Sequence, residues 1–516
     1  MTTLVLAIEA PYWQDVLLAA EKRGLKISHA VVQFRDTPAP NHYFDASKPI
    51  QIDGKKFYRI ETLSKLIEAD FGKNYAVLDA KTIATFEKYE RDFYILTDRF
   101  SYFPRSYRYR KRLFRENLRY WLAFYQQNKI TSVLSGCTPH NISDYMAFIT
   151  AKELGLTTLL AAHTMINDHI LIRHDYSGYE KVPASFMLGA TEAELKAAIS
   201  QALLERAMGE SKVLNYVIQK NDAVSGAKNV AKAKKKIDKE KLGVFADRFK
   251  RFVLTTPKFK TALALNGVYS PKIRRLIRLY EIPRHKYLQR KHDELAITPD
   301  LNCKYIYFAM HLQPERTSTP EAELFEDHLL AIDILAKSLP SGWKLYIKEN
   351  PRQYNKINLL KGRHQRDISD YQDYLKLPNV HLISQKIPSK DVLKNAQVVS
   401  TLSGSVGWEA LKAGRPCIIF ANAWYSACES IHRIENVDEA KSAIQNCLES
   451  TPEKVRINIL RYLAYMQPHF NIGNMGTKAY IKAASFPYSD HVEKLAERIC
   501  QEFNAKAKPT KLPQAV

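Results

Sequence analysis

Short apolar runs alternate with amphipathic stretches along most of this chain. "TLVLAIE" (3–9) reads as a short apolar strand. "YWQDVLLAAEKRG" (12–24) repeats apolar residues at helical spacing and closes on Gly24. "KISHAVVQF" (26–34) predicts the next strand, 107–129 a long helix, "ITSVLSG" (130–136) a strand, "HNISDYMAFITAKELG" (140–155) a helix and "TTLLAAHT" (157–164) a strand. The same rhythm returns from Lys304. "KYIYFAM", "KLYIKEN", "VHLIS", "QVVSTL" and "PCIIF" read as strands; "TPEAELFEDHLLAIDILAKSLP" (319–340), "PSKDVLKNA" (388–396) and "SGSVGWEALKAG" (403–414) read as helices. Strands separated by helices predict parallel doubly wound sheets.

Between the two series the pattern changes. Over 191–300 glycine is scarce, Ala, Lys, Glu, Arg and Leu dominate, and "NVAKAKKKIDKEKLG" (229–243) reads as a solvated helix. No heptad is sustained and no short repeat appears. The expected organisation is α/β, with an N-terminal Rossmann-like unit over 1–190, a basic helical insert over 191–300, a second Rossmann-like unit over 301–485 and a helix with a tail over 486–516. A chain of 516 residues has room for this.

Composition narrows the class. With 46% hydrophobic and 25% charged residues the chain is globular. No apolar stretch reaches the ~18 residues of a membrane span. The first residues carry Glu9 and Asp15 where a secretion signal would be apolar. Six scattered cysteines include no CxxC and no zinc spacing, and no HxxxH or carboxylate cluster marks a metal. A cytosolic protein without metal or cofactor is the expectation. The net charge of +23 points to anionic partners, and residues 201–300 supply about +13 of it.

A second basic stretch, "RSYRYRKRLFRENLRYW" (105–121), interleaves arginine and tyrosine. It admits three readings: a solvated helix with tyrosines in the core, a contact for an anionic lipid-linked acceptor or membrane surface, or nucleic-acid binding. The last ranks lowest, since no nucleic-acid motif accompanies it.

The chemistry concentrates at strand ends of the second unit. In open α/β sheets, ligands sit outside the carboxyl ends of the strands. "SGSVGWE" (403–409) follows a strand and opens a helix, so free N–H groups and the helix dipole favour an anion there. Gly404 lets the backbone turn and approach a ligand, through positive φ if needed. Ser403 and Ser405 add hydroxyls, and Glu409 can accept from sugar or ribose hydroxyls. The plain alternative is a β–turn–α corner with Ser405 as N-cap. Three more polar loops follow strands: "HLQPERTSTP" (311–320), "NPRQ" (350–353) and "ANAWYSACESIHRI" (421–434). Lys348 and Arg352 can neutralise phosphate or lie on the surface. Trp424 and Tyr425 stack on a base or pack in the core. In the first unit Glu9 is a candidate base or nucleophile, or a surface carboxylate. His140 and Asp144 are candidate acceptor contacts, and His163 ends an apolar strand.

The segments 307–351 and 400–434 resemble the C-terminal half of bacterial capsule and surface-polysaccharide biosynthesis proteins, a group similar to the capsule Kdo transferases. The resemblance is specific over 304–434. It implies a GT-B glycosyltransferase with a CMP- or UDP-activated donor and a glycan or lipid-linked acceptor. Carried over, Ser403, Gly404 and Ser405 contact phosphate, Glu409 contacts donor hydroxyls, and His311, Gln313, Glu315 and Arg316 line the donor pocket. Asn350 stands where the family commonly has histidine. The expected catalytic residues are Glu9, His140 and Glu315. A nucleotide-sugar 2-epimerase and a non-catalytic polysaccharide- or nucleic-acid-binding protein remain as alternatives.

Overall fold

The computed structural model describes residues 2–8, 12–32, 50–52, 55–59, 76–99, 106–178, 181–210, 271–354, 366–474 and 484–505. The first unit contains β1 (Thr2–Ile8), α1 (Tyr12–Lys22), β2 (Lys26–Val32), β3 (Ile50–Ile52), β4 (Lys55–Arg59), α2 (Ala80–Glu87), α3 (Glu90–Asp98), α4 (Tyr107–Gln127), β5 (Ser132–Ser135), α5 (Ile142–Glu153), β6 (Thr157–His163) and β7 (His169–Arg173). Helices α6 (Glu192–Ala197), α7 (Gln201–Met208) and α8 (Pro271–Leu295) connect it to the second unit. Residues 211–270 of the expected insert lie outside the described residues. The second unit contains β8 (Tyr305–Ala309), α9 (His328–Ser338), β9 (Lys344–Lys348), α10 (Ile368–Leu375), β10 (Val380–Ile383), α11 (Ser389–Asn395), β11 (Val398–Thr401), α12 (Ser405–Lys412), β12 (Cys417–Ile419), β13 (Ile431–Arg433) and α13 (Val437–Leu448). The chain then runs through α14 (Pro452–Met466), β14 (Phe470–Ile472) and α15 (Tyr488–Ala505).

The first sheet has the order β14-β7-β6-β5-β1-β2-β4-β3. Its centre is parallel, and β3, β7 and β14 run antiparallel to their neighbours. The second sheet, β10-β9-β8-β11-β12-β13, is parallel throughout. A parallel sheet covered on both faces needs apolar residues on both. β8 supplies them: Tyr305 and Tyr307 enter one core, Ile306 and Phe308 the other.

Two boundaries differ from expectation. The helix expected from 319 begins at His328, because the Asp327 side chain accepts the Leu329 N–H and caps it there; a short 3₁₀ turn occupies 323–326. The C-terminal segment rejoins the first unit before 485, since Phe470–Ile472 already pairs with β7. α15 then buries Val492, Leu495, Ile499 and Phe503 in the core that also holds Tyr12, Trp13 and Val16 of α1.

Cross-unit bonds hold the halves together. Arg461 of α14 donates to the carbonyls of Ala184 (2.9 Å) and Phe186 (2.8 Å) and pairs with Glu429 at 2.6 Å. Trp408 Nε1 donates to Ala207 O at 3.2 Å, and Lys412 Nζ to Gly209 O at 2.7 Å. No helix among the described residues is long and apolar enough to cross a membrane. Two Rossmann-like units joined by helices, with the C-terminal helix packed back on the first, make the GT-B arrangement.

Candidate active site

The strand ends of the second sheet converge on the turn after β11. Gly404 is the N-cap of α12, and Ser405 is its first residue. Gly404 has φ −72° and ψ 161°, an ordinary extended conformation. Glycine is needed here for room: a Cβ would stand 2.9 Å from Thr401 Oγ1 and 3.1 Å from His311 Nε2. The N–H groups of Ser405 and Val406 open α12 without an intrahelical partner, as at any helix start, while the Gly407 N–H donates to Gly404 O at 3.1 Å. Ser403 Oγ is buried without a hydrogen-bond partner among the described residues.

His311 holds this turn from below. Its Nε2 accepts the Ser403 N–H at 3.2 Å and lies 3.2 Å from Thr401 Oγ1. Its own N–H donates to His328 Nε2 at 3.1 Å. Burial lowers the His311 pKa to about 4, against the opposing influence of Glu315, and burial with the Arg366 charge puts His328 well below the usual range. Both rings are therefore neutral near pH 7.

The loops after β8 and β9 are tied by a pair that the sequence pattern did not reveal. Arg366 and Glu349 meet at 2.5 Å with side chains 2% and 0% exposed. Arg366 also donates to His311 O (3.0 Å) and Gln313 Oε1 (2.9 Å), and Tyr371 OH donates to Glu349 at 2.7 Å. Gln313 Nε2 donates to Glu326 O at 2.7 Å. The amide of Gln313 is thus committed to the loop itself. Asn350 Oδ1 accepts the Arg352 N–H at 3.0 Å, and Asn350 O accepts from Gln385 at 2.9 Å. No spacing signal links Glu349 to an arginine 17 positions on.

Lys348 and Glu409 sit on one face of this sheet. Lys348, 2% exposed, donates from Nζ to Ser389 Oγ at 3.2 Å, and burial pulls its pKa down to about 8. Tyr307 lies between: burial pushes its pKa up to about 12, its hydroxyl bonds with Ser389, and it faces Glu409. Burial raises the Glu409 pKa, opposed by Lys412 and by a hydrogen bond from Ser405. Trp424 and Tyr425 are core residues, with Trp424 4.6 Å from the Trp408 ring and the Tyr425 hydroxyl donating to Gly404 O.

The other wall comes from the first unit. His140 follows β5. Its Nδ1 lies 2.8 Å from Thr138 O, and a carbonyl only accepts, so the ring proton sits on Nδ1 and the lone pair on Nε2. Arg99 joins the two units, donating to His140 O (3.2 Å) and Pro314 O (3.5 Å). Arg316 acts across the seam on His163 at the end of β6, whose pKa burial first, and this charge second, lower to about 3. Glu315 closes a tight turn with Ser318, whose hydroxyl donates to Glu315 O at 2.8 Å. Asp144 is buried in the first turn of α5 and accepts from Asn141 at 2.9 Å. Glu9 lies outside the described residues. Among the described residues, no three His, Cys, Asp or Glu side chains group closely enough to hold a metal.

A shallow depression of about 380 Å³, lined by Lys286, Gln289, Arg290, Asp293 and Glu294, lies on α8 and includes none of these groups.

Among solved structures, the chain is similar to the beta Kdo 2,7 transferase KpsC of Thermosulfurimonas dismutans at 12% identity, over 43% of this chain and 62% of that one, with a TM-score of 0.24. The match thus spans less than two thirds of that protein. It is similar to the beta Kdo 2,4 transferase KpsC of the same organism at 11% identity, over 71% and 87%, TM-score 0.29. A UDP-GlcNAc 2-epimerase from Methanocaldococcus jannaschii aligns at 11% identity, over 90% and 100%, TM-score 0.23. Scores this low establish no shared overall shape, and the fold stands on the two sheets themselves. No curated protein sequence matches. Residues 324–446 match the family described as capsule polysaccharide biosynthesis protein. That span holds α9, the Arg366–Glu349 pair and the turn at Gly404, and over it the chain is similar to the capsule polysaccharide biosynthesis protein family.

Proposed function

We propose that this protein is a GT-B glycosyltransferase of capsule or surface-polysaccharide synthesis. It would move a sugar, Kdo-like in the closest reading, from a CMP- or UDP-activated donor to a glycan or glycolipid. The observation that carries the proposal is the turn at 403–405. A helix start, a buried hydroxyl on Ser403 with no partner among the described residues and a buried cation at Lys348 gather at the strand ends of one sheet.

In this reading the donor phosphate rests on the N–H groups of α12 and is neutralised by Lys348. Glu409 accepts from a donor hydroxyl, and Arg316 offsets charge on the leaving phosphate. His140 Nε2 takes the proton from the acceptor hydroxyl. The acceptor oxygen then bonds to the anomeric carbon. The bond from that carbon to the phosphate oxygen breaks, and its electron pair leaves with the nucleotide. His311, Gln313, Glu349 and Arg366 act on the loops rather than on the donor. Glu315 and Asn350 keep the pocket-lining roles that the family resemblance implies.

The test is release of CMP or UDP from a panel of nucleotide sugars with and without glycan acceptors. Acceptor-dependent release together with a lengthened glycan supports transfer. Isomerisation of the donor with no acceptor present would replace this reading with an epimerase, and no turnover or binding of any nucleotide would reject both.

A further inference from the structure

α4 carries a row of arginines that the site does not use. Its inward face is apolar, with Leu113, Phe114, Leu118 and Trp121 buried. Arg108, Arg112 and Arg115 are exposed, and the Arg119 side chain is 39% exposed. Steps of four, three and four residues place them in one stripe. At 1.5 Å per residue the stripe is about 16 Å long. Glu116 is the helix's single acidic residue; its side chain is 12% exposed and 3.7 Å from Arg119. Like charges at these spacings repel, so local helix stability does not explain the row.

The row starts at the seam between the units. α4 feeds β5, and a helix feeding a parallel strand runs back along the sheet, so its first turn lies at the strand's C-terminal edge. That edge carries His140. Two contacts agree: Arg110 pairs with Asp98 at 2.7 Å, and the next residue, Arg99, donates to both His140 O and Pro314 O. Tyr107 stacks edge-on against Tyr94 at 5.8 Å. The stripe therefore leads from the His140 edge down the outside of the first unit.

We propose that the Arg108–Arg112–Arg115–Arg119 row is the track for an anionic glycan acceptor bearing a carboxylate or phosphate on each repeat. This rests on the transferase reading. Guanidinium groups grip both anions in bidentate fashion. Successive positions lie ~5–6 Å apart at Cβ, on the order of one sugar residue. A bilayer would ask for bulky apolar residues beside the charges, and of this helix only Tyr107 is an exposed large apolar residue.

The experiment measures binding of the full chain to polygalacturonate, neutral dextran, phosphatidylglycerol vesicles and single-stranded RNA. Its variants are Arg108→Gln/Arg112→Gln/Arg115→Gln and a control with the same charge change, Lys22→Gln/Lys26→Gln/Lys441→Gln. Polygalacturonate should bind, less tightly as salt rises. The arginine variant should bind it at least tenfold more weakly, and the control should change less than twofold, with melting and nucleotide binding unchanged in both. Should the triple variant unfold, Arg112→Gln and Arg115→Gln singly carry the same test. Equal losses in both variants, equal binding of dextran, or a tighter arginine-dependent hold on vesicles or RNA would overturn the track. Loss confined to the arginine variant in a protein that binds no nucleotide would leave the track standing and reject the transferase reading alone.

Discussion

The His311 ring occupies the space that a side chain at Gly404 would need, its Nε2 3.1 Å from where a Cβ would stand and 3.2 Å from the Ser403 nitrogen. One neutral imidazole thus fills the turn's glycine gap and fixes its backbone. Gly404→Ala should lower stability by ~1–3 kcal/mol, the usual effect of overpacking, and weaken nucleotide binding as His311 is displaced. Denaturant unfolding and calorimetry on the same variant measure both. A variant with wild-type affinity would separate the turn from the ligand.

Ser405 gives a sharper contrast. Read from sequence alone it is a candidate cap, but the cap position belongs to Gly404, and the Ser405 hydroxyl bonds with Glu409. Ser405→Ala should leave melting within about 0.5 kcal/mol of wild type, as at sites outside special features. Its effect should fall on nucleotide binding instead. A loss of a full capping energy, ~1 kcal/mol or more, with intact binding would contradict this.

The Arg366–Glu349 pair predicts asymmetric energetics. Removing one partner leaves a buried charge, so Arg366→Met should cost about 3–5 kcal/mol. Arg366→Met with Glu349→Leu should recover most of that stability. The double variant should still bind nucleotide poorly, because His311 O and Gln313 Oε1 lose the guanidinium that joins their loop to the next. Full recovery of binding would make the pair a matter of stability alone.

Much of this was legible beforehand, for physical reasons. Runs such as "YIYFAM" are apolar at every position because both faces of a parallel sheet are covered, and that pattern survives without any knowledge of partners. The turn at 403–405 was visible because glycine and hydroxyl residues at a strand end are unusual chemistry in a short span. Arg366 was not, since its partners at 349, 311 and 313 are brought near only by the fold. Nor was β14, three residues long and held by β7 rather than by its own propensity. The arginine row was seen as charge. Its direction, from the seam outward, needed the topology.

Lys348 predicts a pH dependence. Its folded pKa, about 8, lies below its ordinary 10.5 because burial disfavours the cation. Between those values the unfolded chain binds the extra proton, so this residue makes stability rise with pH from about 8 to 10.5. A phosphate ligand favours the protonated form, so nucleotide affinity should fall as pH rises past about 8. Lys348→Met should bind more weakly and flatten that profile. An unchanged profile in the variant would assign the dependence to another group.

His140 carries the proposed proton transfer. His140→Ala should lower the transfer rate by ~10²–10⁴-fold, the usual contribution of a general base. Nucleotide affinity should hold, since the residue lies on the opposite wall. Weakened nucleotide binding with an unchanged rate would move His140 from catalysis to donor recognition.

The most direct test is nucleotide binding at the turn itself. CMP, UDP and their sugars should be titrated by calorimetry and by thermal shift into wild type, Ser403→Ala and Lys348→Met. A ligand held by the folded protein raises its melting temperature by mass action; at a hundred times its Kd the gain is about 2.7 kcal/mol. The account predicts that one cytidine or uridine nucleotide stabilises the wild type and that each substitution weakens its binding at least tenfold. Binding that survives both substitutions, or no stabilisation by any nucleotide, would contradict it.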